Sequence, residues 1–245
     1  MHNQRTLHRS YCVAESQPTL SNVHRGVNFE TRSIGLLAEH LSMSLERVGG
    51  KGDGGVDMLG WWWIPDLSAN MPSVNKRRRI RVLAQCKAEK RKIGPKYLRE
   101  LEGVLYRHHT IDLLKESRGV VSSNLDGPSQ PTSLQDPEPV QLPALGVFIS
   151  ESPFTQAAIL HAQSSSIPLF LLHLPPEEEE LFIGTSESLF ATLVWNRALA
   201  GNNGLLGGQM EVRWERSGSG PPRLTLWWQN IRLPNWIPPK GDDHS

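Results

Sequence analysis

Cysteine is nearly absent: Cys12 and Cys86 are the two in 245 residues. That excludes a disulfide framework and a cysteine-rich zinc site, and it points to reduced thiols. Long apolar runs are missing as well. The longest apolar stretches, such as residues 167–174, fall far short of the about 20 residues a membrane-spanning helix needs, so no integral membrane segment of that kind is expected. Net charge is also small, because 26 Lys and Arg against 25 Asp and Glu leave +1, and the whole-chain balance makes no case for an acidic partner. No acid appears before Glu15, and no apolar signal-peptide core precedes it. A basic, acid-free start with Arg5 and Arg9 has the composition of an organelle-import leader; a merely disordered N-terminus has it too.

What is there can fill a core, since 38% of the residues are hydrophobic and 21% charged. Charge is distributed unevenly. Residues 76–99 hold eleven basic side chains against the single acid Glu89, a local excess of ten that leaves about minus nine elsewhere. Such asymmetry is the electrostatic footprint of a nucleic acid or anionic membrane partner. Three readings stand for Lys76, Arg77, Arg78 and Arg79: contact with a phosphate backbone, a solvated loop, or a nuclear-import signal.

From 28 to 48 the apolar positions Ile34, Leu37, Leu41 and Leu45 recur at helical spacing, with Asn28 as the expected N-cap. Glu30 lies four residues before Ile34, an acid on an apolar stripe. Gly49, Gly50, Gly52, Gly54 and Gly55 then crowd a turn that leads to a candidate strand at 56–59, followed by three tryptophans and a loop to residue 75. Residues 80–88 alternate as a strand, so Gln85 and Lys87 share one face and Ala84 and Cys86 the other. A second helix starts at Pro95. Residues 122–143, with five prolines, are expected to be a mobile insertion. Residues 145–149, 154–163 and 168–174 read as strand, helix and strand, a parallel crossover in an α/β sheet. Further on, the acidic run from Glu177 to Glu180 reads as a solvated face. Residues 188–200 look helical, and 210–214 with 224–229 resemble a hairpin. The five tryptophans beyond residue 194 are read mainly as packing.

Glu30, Asp57 and the Gln85-Cys86-Lys87 run are each weak signals. Together they are coherent, because phosphodiester hydrolysis needs oxygen ligands for a hard cation and a cationic group beside the attacking water. Gly49-Gly50-Lys51-Gly52-Asp53-Gly54-Gly55-Val56-Asp57, followed by Ala84-Gln85-Cys86-Lys87, resembles the signature of restriction-endonuclease-like nucleases of the PD-(D/E)XK superfamily, particularly the Mrr-like branch. Gly26-Val27-Asn28-Phe29-Glu30 and Lys92-Ile93-Gly94-Pro95-Lys96-Tyr97-Leu98 match the flanking parts of that signature, and the likeness spans about residues 26–174. The proline-rich insertion and tryptophan-rich tail look like the fungal mitochondrial family named for being required for respiratory growth.

The resemblance implies a restriction-endonuclease-like α/β fold, a mixed central sheet flanked by helices. It implies Asp57 as principal metal ligand, Glu30 as an auxiliary one, the Cys86 backbone carbonyl in the metal shell, Gln85 in the place of the second acid, and Lys87 positioning the nucleophilic water. Mg2+ or Mn2+ is the implied cofactor. Asp53 reads as a turn residue. The expected organisation is a mitochondrial leader at 1–22, a nuclease domain at 23–174 and a C-terminal extension at 175–245. The expected partner is nucleic acid, DNA ahead of RNA, held without sequence reading by Lys76, Arg77, Arg78, Arg79, Lys90, Arg91, Lys92 and Lys96. The activity expected is endonuclease or exonuclease. The alternative is a catalytically weak or inactive nuclease fold that binds nucleic acid in support of mitochondrial genome maintenance.

Overall fold

The computed structural model describes residues 22–48, 54–66, 77–121, 144–176, 192–215 and 223–239. Helix α1 (Asn22–Leu41) buries Phe29, Ser33, Leu37 and Leu41, one residue per four, on a single stripe. It ends at Ser42, whose φ of 56° turns the chain into strand β1 (Met43–Arg47). The expected helix over 28–48 is therefore corrected. Leu45 keeps the four-residue spacing but lies in β1 opposite Gly60, and Asn28 sits inside α1 instead of capping it.

Strand β2 (Met58–Pro65) runs on through all three tryptophans and is longer than the 56–59 segment expected. Its approach to β1 requires glycine at residue 60, where a Cβ would lie 2.0 Å from Ser44 O. Strand β3 (Arg77–Lys87) and helix α2 (Pro95–Val121) follow, the helix opening at Pro95 as expected. Strand β4 (Ala144–Ser150), helix α3 (Gln156–Ser164) and strand β5 (Leu169–His173) make the parallel crossover. Residues 192–195, expected to be helical, form strand β6 (Thr192–Trp195) instead; pairing with β5 overrides local preference, and among the described residues of that stretch the helical ones are α4 (Arg197–Ala200).

The sheet order is β1-β2-β3-β4-β5-β6, with β3, β4 and β5 parallel and the outer pairings antiparallel. It is a mixed sheet flanked by helices. Strands β7 (Met210–Glu215), β8 (Arg223–Trp228) and β9 (Ile231–Arg232) form a separate antiparallel sheet, so the expected hairpin is present with one more short strand. Residues 1–21 of the expected leader, the turn glycines at 49, 50 and 52, Asp53, Lys76, the expected insertion at 122–143 and the acidic run at 177–180 lie outside the described residues.

Alternation along β3 divides the interior in two. Ile80, Val82, Ala84 and Cys86 face α1 and the smaller sheet, in one cluster with Leu37, Leu41, Leu224 and Trp228. Leu83 faces the other way, into a cluster with Leu101, Val104 and Leu105 of α2, Phe148, and Ala158 of α3. Fully buried side chains of this kind contribute roughly 1.5–3 kcal/mol each. Polar ties fix the periphery. Asn235 and the Trp236 N–H bind Ser42 and Ala38 at the α1–β1 turn, and Arg25 of α1 pairs with Glu151 after β4.

Candidate active site

The turn into β2 is built on two left-handed glycines, Gly54 (φ 67°) and Gly55 (φ 88°), a conformation other residues adopt only with strain. Arg107 of α2 holds it, Nη2 donating to Gly54 O at 2.6 Å. The turn delivers Asp57 to the end of β3. Its N–H donates to Ala84 O at 3.0 Å, and its Oδ2 accepts the Cys86 N–H at 2.7 Å. Because Met58 pairs with Ala84, Asp57 stands opposite Gln85.

Gln85 is 6% exposed, and its Oε1 has no hydrogen-bond donor. Leaving a buried acceptor without a partner costs about 1–3 kcal/mol. Gln85 borders a cavity of about 330 Å³ lined by Gly54, Gly55, Gln85, Glu100, Gly103, Val104 and Arg107. Lys87, two residues on, is half-buried on the same face, and no described carboxylate pairs with its ammonium. The parity read from the sequence thus brings Asp57, Gln85 and Lys87 to the end of β3, in the interior of the sheet.

Glu30 approaches from the α1 side and is half-buried. Its Oε2 accepts from Arg47 Nε of β1 at 2.6 Å, so the carboxylate expected as an auxiliary ligand is already paired with a cation. The Cys86 side chain also faces α1. Burial pushes its thiol far above the ordinary range, and the carboxylates of Asp57 and Glu30 push the same way; a hydrogen bond with Ser33 and the Lys87 ammonium oppose them. Burial thus favours the neutral Cys86 thiol, and it is the Cys86 backbone N–H that meets Asp57.

Among the described residues no three His, Cys, Asp or Glu side chains gather as a metal cluster. The oxygens nearest this end of β3, the Asp57 carboxylate and the unpartnered Gln85 Oε1, are hard donors of the kind magnesium takes when it keeps most of its waters. The residues fit such an ion, with Glu30 engaged elsewhere.

The basic residues divide. Arg77 donates to Trp63 O and Pro234 O, and Arg78 to Leu205 O; burial lowers the pKa of both. Arg79 lies over Trp61, its Cζ 4.4 Å from the ring centroid. Lys90, Arg91 and Lys92 are exposed between β3 and α2, and Lys96 sits 3.8 Å from Glu100. Sequence reading missed Glu100 and Arg107. Their signal is the 100, 103, 104, 107 spacing, which lays Glu100, Gly103, Val104 and Arg107 along one face of α2.

Residues 21–126 match the family described as Required for respiratory growth protein 7. A stretch of 126 residues, 51% of this chain, is 35% identical to an uncharacterized mitochondrial protein of Schizosaccharomyces pombe. The chain is similar to that respiratory-growth family. The match spans 47% of the fission-yeast protein, so this chain covers about half of its relative's length. No solved structure matches. The family segment carries α1, β1 to β3 and α2, and with them Glu30, Asp57, Gln85, Lys87 and the cavity wall.

Proposed function

We propose that this chain is a metal-dependent phosphodiester hydrolase acting on mitochondrial DNA. The observation that carries the reading is the buried Gln85 Oε1, an acceptor without a donor on the β3 segment that Asp57 brackets through its bonds to Ala84 and Cys86. A magnesium or manganese ion bound there supplies charge neutralisation at the scissile phosphate and a more acidic bound water. The chain's own residues do the rest. Asp57 is oriented by the Cys86 N–H, so its carboxylate is held before any ligand arrives. The Lys87 ammonium, with no described carboxylate to satisfy it, stabilises the attacking hydroxide and the charge that develops on phosphorus-bound oxygens. The resemblance of the 49–57 and 84–87 segments to the PD-(D/E)XK signature supports the same chemistry, and the similarity to a relative named mitochondrial supports the compartment.

A second reading is favoured by one feature, the Glu30–Arg47 ion pair, which occupies an acid that would otherwise add to the metal shell. On that reading the fold binds nucleic acid without turnover. The deciding experiment incubates the purified chain with end-labelled DNA and RNA in Mg2+, Mn2+ or EDTA. Cleavage that needs metal supports the hydrolase; retention of the substrate intact in every condition, with binding, supports the scaffold.

A further inference from the structure

Strand parity puts the β3 arginines to different uses. Arg78 turns with Ile80 and Val82 toward α1 and is consumed by Leu205 O. Arg79 and Arg81 lie on the opposite face, the one that carries Gln85 and Lys87 farther along the strand. There both guanidiniums converge on one indole: Arg79 Cζ is 4.4 Å and Arg81 Cζ 4.9 Å from the centroid of Trp61. Neither forms an ion pair or hydrogen bond with any described residue.

Arg213 provides the contrast. It also lies 4.4 Å over a tryptophan, Trp227, but its guanidinium is bound by Glu211 and Asn230. Two cations gathered on Trp61 without a described carboxylate repel each other, and an anion removes that repulsion. Guanidiniums held over an indole can still offer N–H groups to phosphate oxygens and π-surface to bases. Trp63, two residues along β2 on the same face, is half-buried and meets Trp236 edge-on at 5.7 Å, which extends the aromatic surface.

We propose that this face of β2 and β3 is a docking surface for single-stranded nucleic acid, with Arg79 and Arg81 holding phosphates and the row of Trp61 and Trp63 supporting bases. A duplex hides its base faces in its own stack and would gain only the charge contacts. The inference deepens the hydrolase reading by naming the strand form of its substrate, and it rests on that reading only for treating the bound strand as a substrate.

Binding is measured by fluorescence anisotropy in EDTA, so cleavage plays no part. The probes are labelled oligothymidylate, oligouridylate and a duplex of equal length, with vesicles of anionic phospholipid in a parallel sedimentation assay. The full chain should bind the single strands about tenfold tighter than the duplex, and Arg79→Gln with Arg81→Gln should weaken single-strand binding by at least about tenfold. The log-log salt slope should fall by roughly 1.4, or about 0.7 per lost phosphate contact. Arg79→Lys with Arg81→Lys should keep most of the slope and lose the single-strand preference, since lysine carries charge without a stacking plane. Arg213→Gln should bind like the parent. Equal binding of duplex and single strand, a double glutamine variant that binds like the parent, or binding to vesicles but not oligonucleotides each overturns the proposal. Single-strand binding as expected, with no metal supporting cleavage, would instead sink the hydrolase reading and leave the docking surface standing.

Discussion

The Cys86 backbone N–H donates to Asp57 Oδ2 across 2.7 Å, so the acid expected to hold metal also closes a polar group of the central strand. Two roles on one carboxylate can be separated by substitution. Asp57→Asn keeps an amide oxygen for the N–H and removes the charge, so cleavage should fall by orders of magnitude with little change in thermal midpoint. Asp57→Ala removes both; it should lose cleavage and also about 1–3 kcal/mol of stability, read by urea unfolding, because the Cys86 N–H is left without its acceptor. Equal stability of the two variants would show that the hydrogen bond contributes nothing.

The Cys86 thiol gives a pH signature. Its folded pKa is raised by burial above the ordinary value of 9.0, so the folded state prefers the protonated thiol more strongly than the unfolded chain does. The sign follows by linkage. The contribution is fully present below 9.0 and declines as pH rises from there toward the folded value, because the unfolded chain releases its proton first. Parent stability should therefore fall more steeply than that of Cys86→Ala over this alkaline window, measured as the difference in unfolding free energy at matched pH. Parallel curves would contradict the buried neutral thiol.

The C-terminal third hides a residue of consequence. Asn196 is 1% exposed; its Oδ1 accepts from Leu169 and Leu199 N–H groups, and its Nδ2 donates to Ala162 and Ile167 carbonyls. It caps α4 and ties the end of α3 to the start of β5. Asn196→Ala strands several buried groups and should cost about 3 kcal/mol or more by denaturant unfolding. A loss of only a few tenths would mean that water takes over those bonds.

Why the sequence carried some of this and not the rest can be seen at particular residues. Gln85 and Lys87 were legible because a strand fixes side-chain parity by geometry alone. Leu45 misled because the step from Leu41 is four residues whether the chain continues as helix or turns at Ser42 into β1. Residues 192–195 misled because β6 owes its extended form to β5, a partner some twenty residues earlier. The basic run beginning at Lys76 looked uniform because the carbonyls that consume Arg77 and Arg78, at Pro234 and Leu205, are far away in sequence. Trp61, which gathers Arg79 and Arg81, is nearer but meets them only through strand register.

The compartment has its own test. Residues 1–14, basic and without an acid, fused to a fluorescent reporter should enter mitochondria, since import reads a positively charged segment that can become amphipathic. A reporter left in the cytosol, with a leader extended through Asn22 failing as well, would leave the relative's location as the remaining support.

Metal affinity distinguishes enzyme from scaffold most sharply, through residues that share one strand face. Gln85 offers a neutral oxygen where a carboxylate would add charge, so Gln85→Glu should shift the magnesium dependence of cleavage to lower concentration and keep or raise turnover there. Lys87→Ala should remove the cation that stabilises the attacking hydroxide and lower cleavage by orders of magnitude at saturating metal. Binding without metal should separate the two acidic and basic positions by sign: Lys87→Ala weakens it by deleting a cation, whereas Asp57→Ala strengthens it by relieving repulsion of phosphate. A scaffold would cleave in none of these variants, and isothermal titration would give Gln85→Glu no new magnesium affinity. If the parent cleaves and Lys87→Ala cleaves equally well, the ammonium at the end of β3 has no part in the chemistry, and the mechanism fails at its central residue.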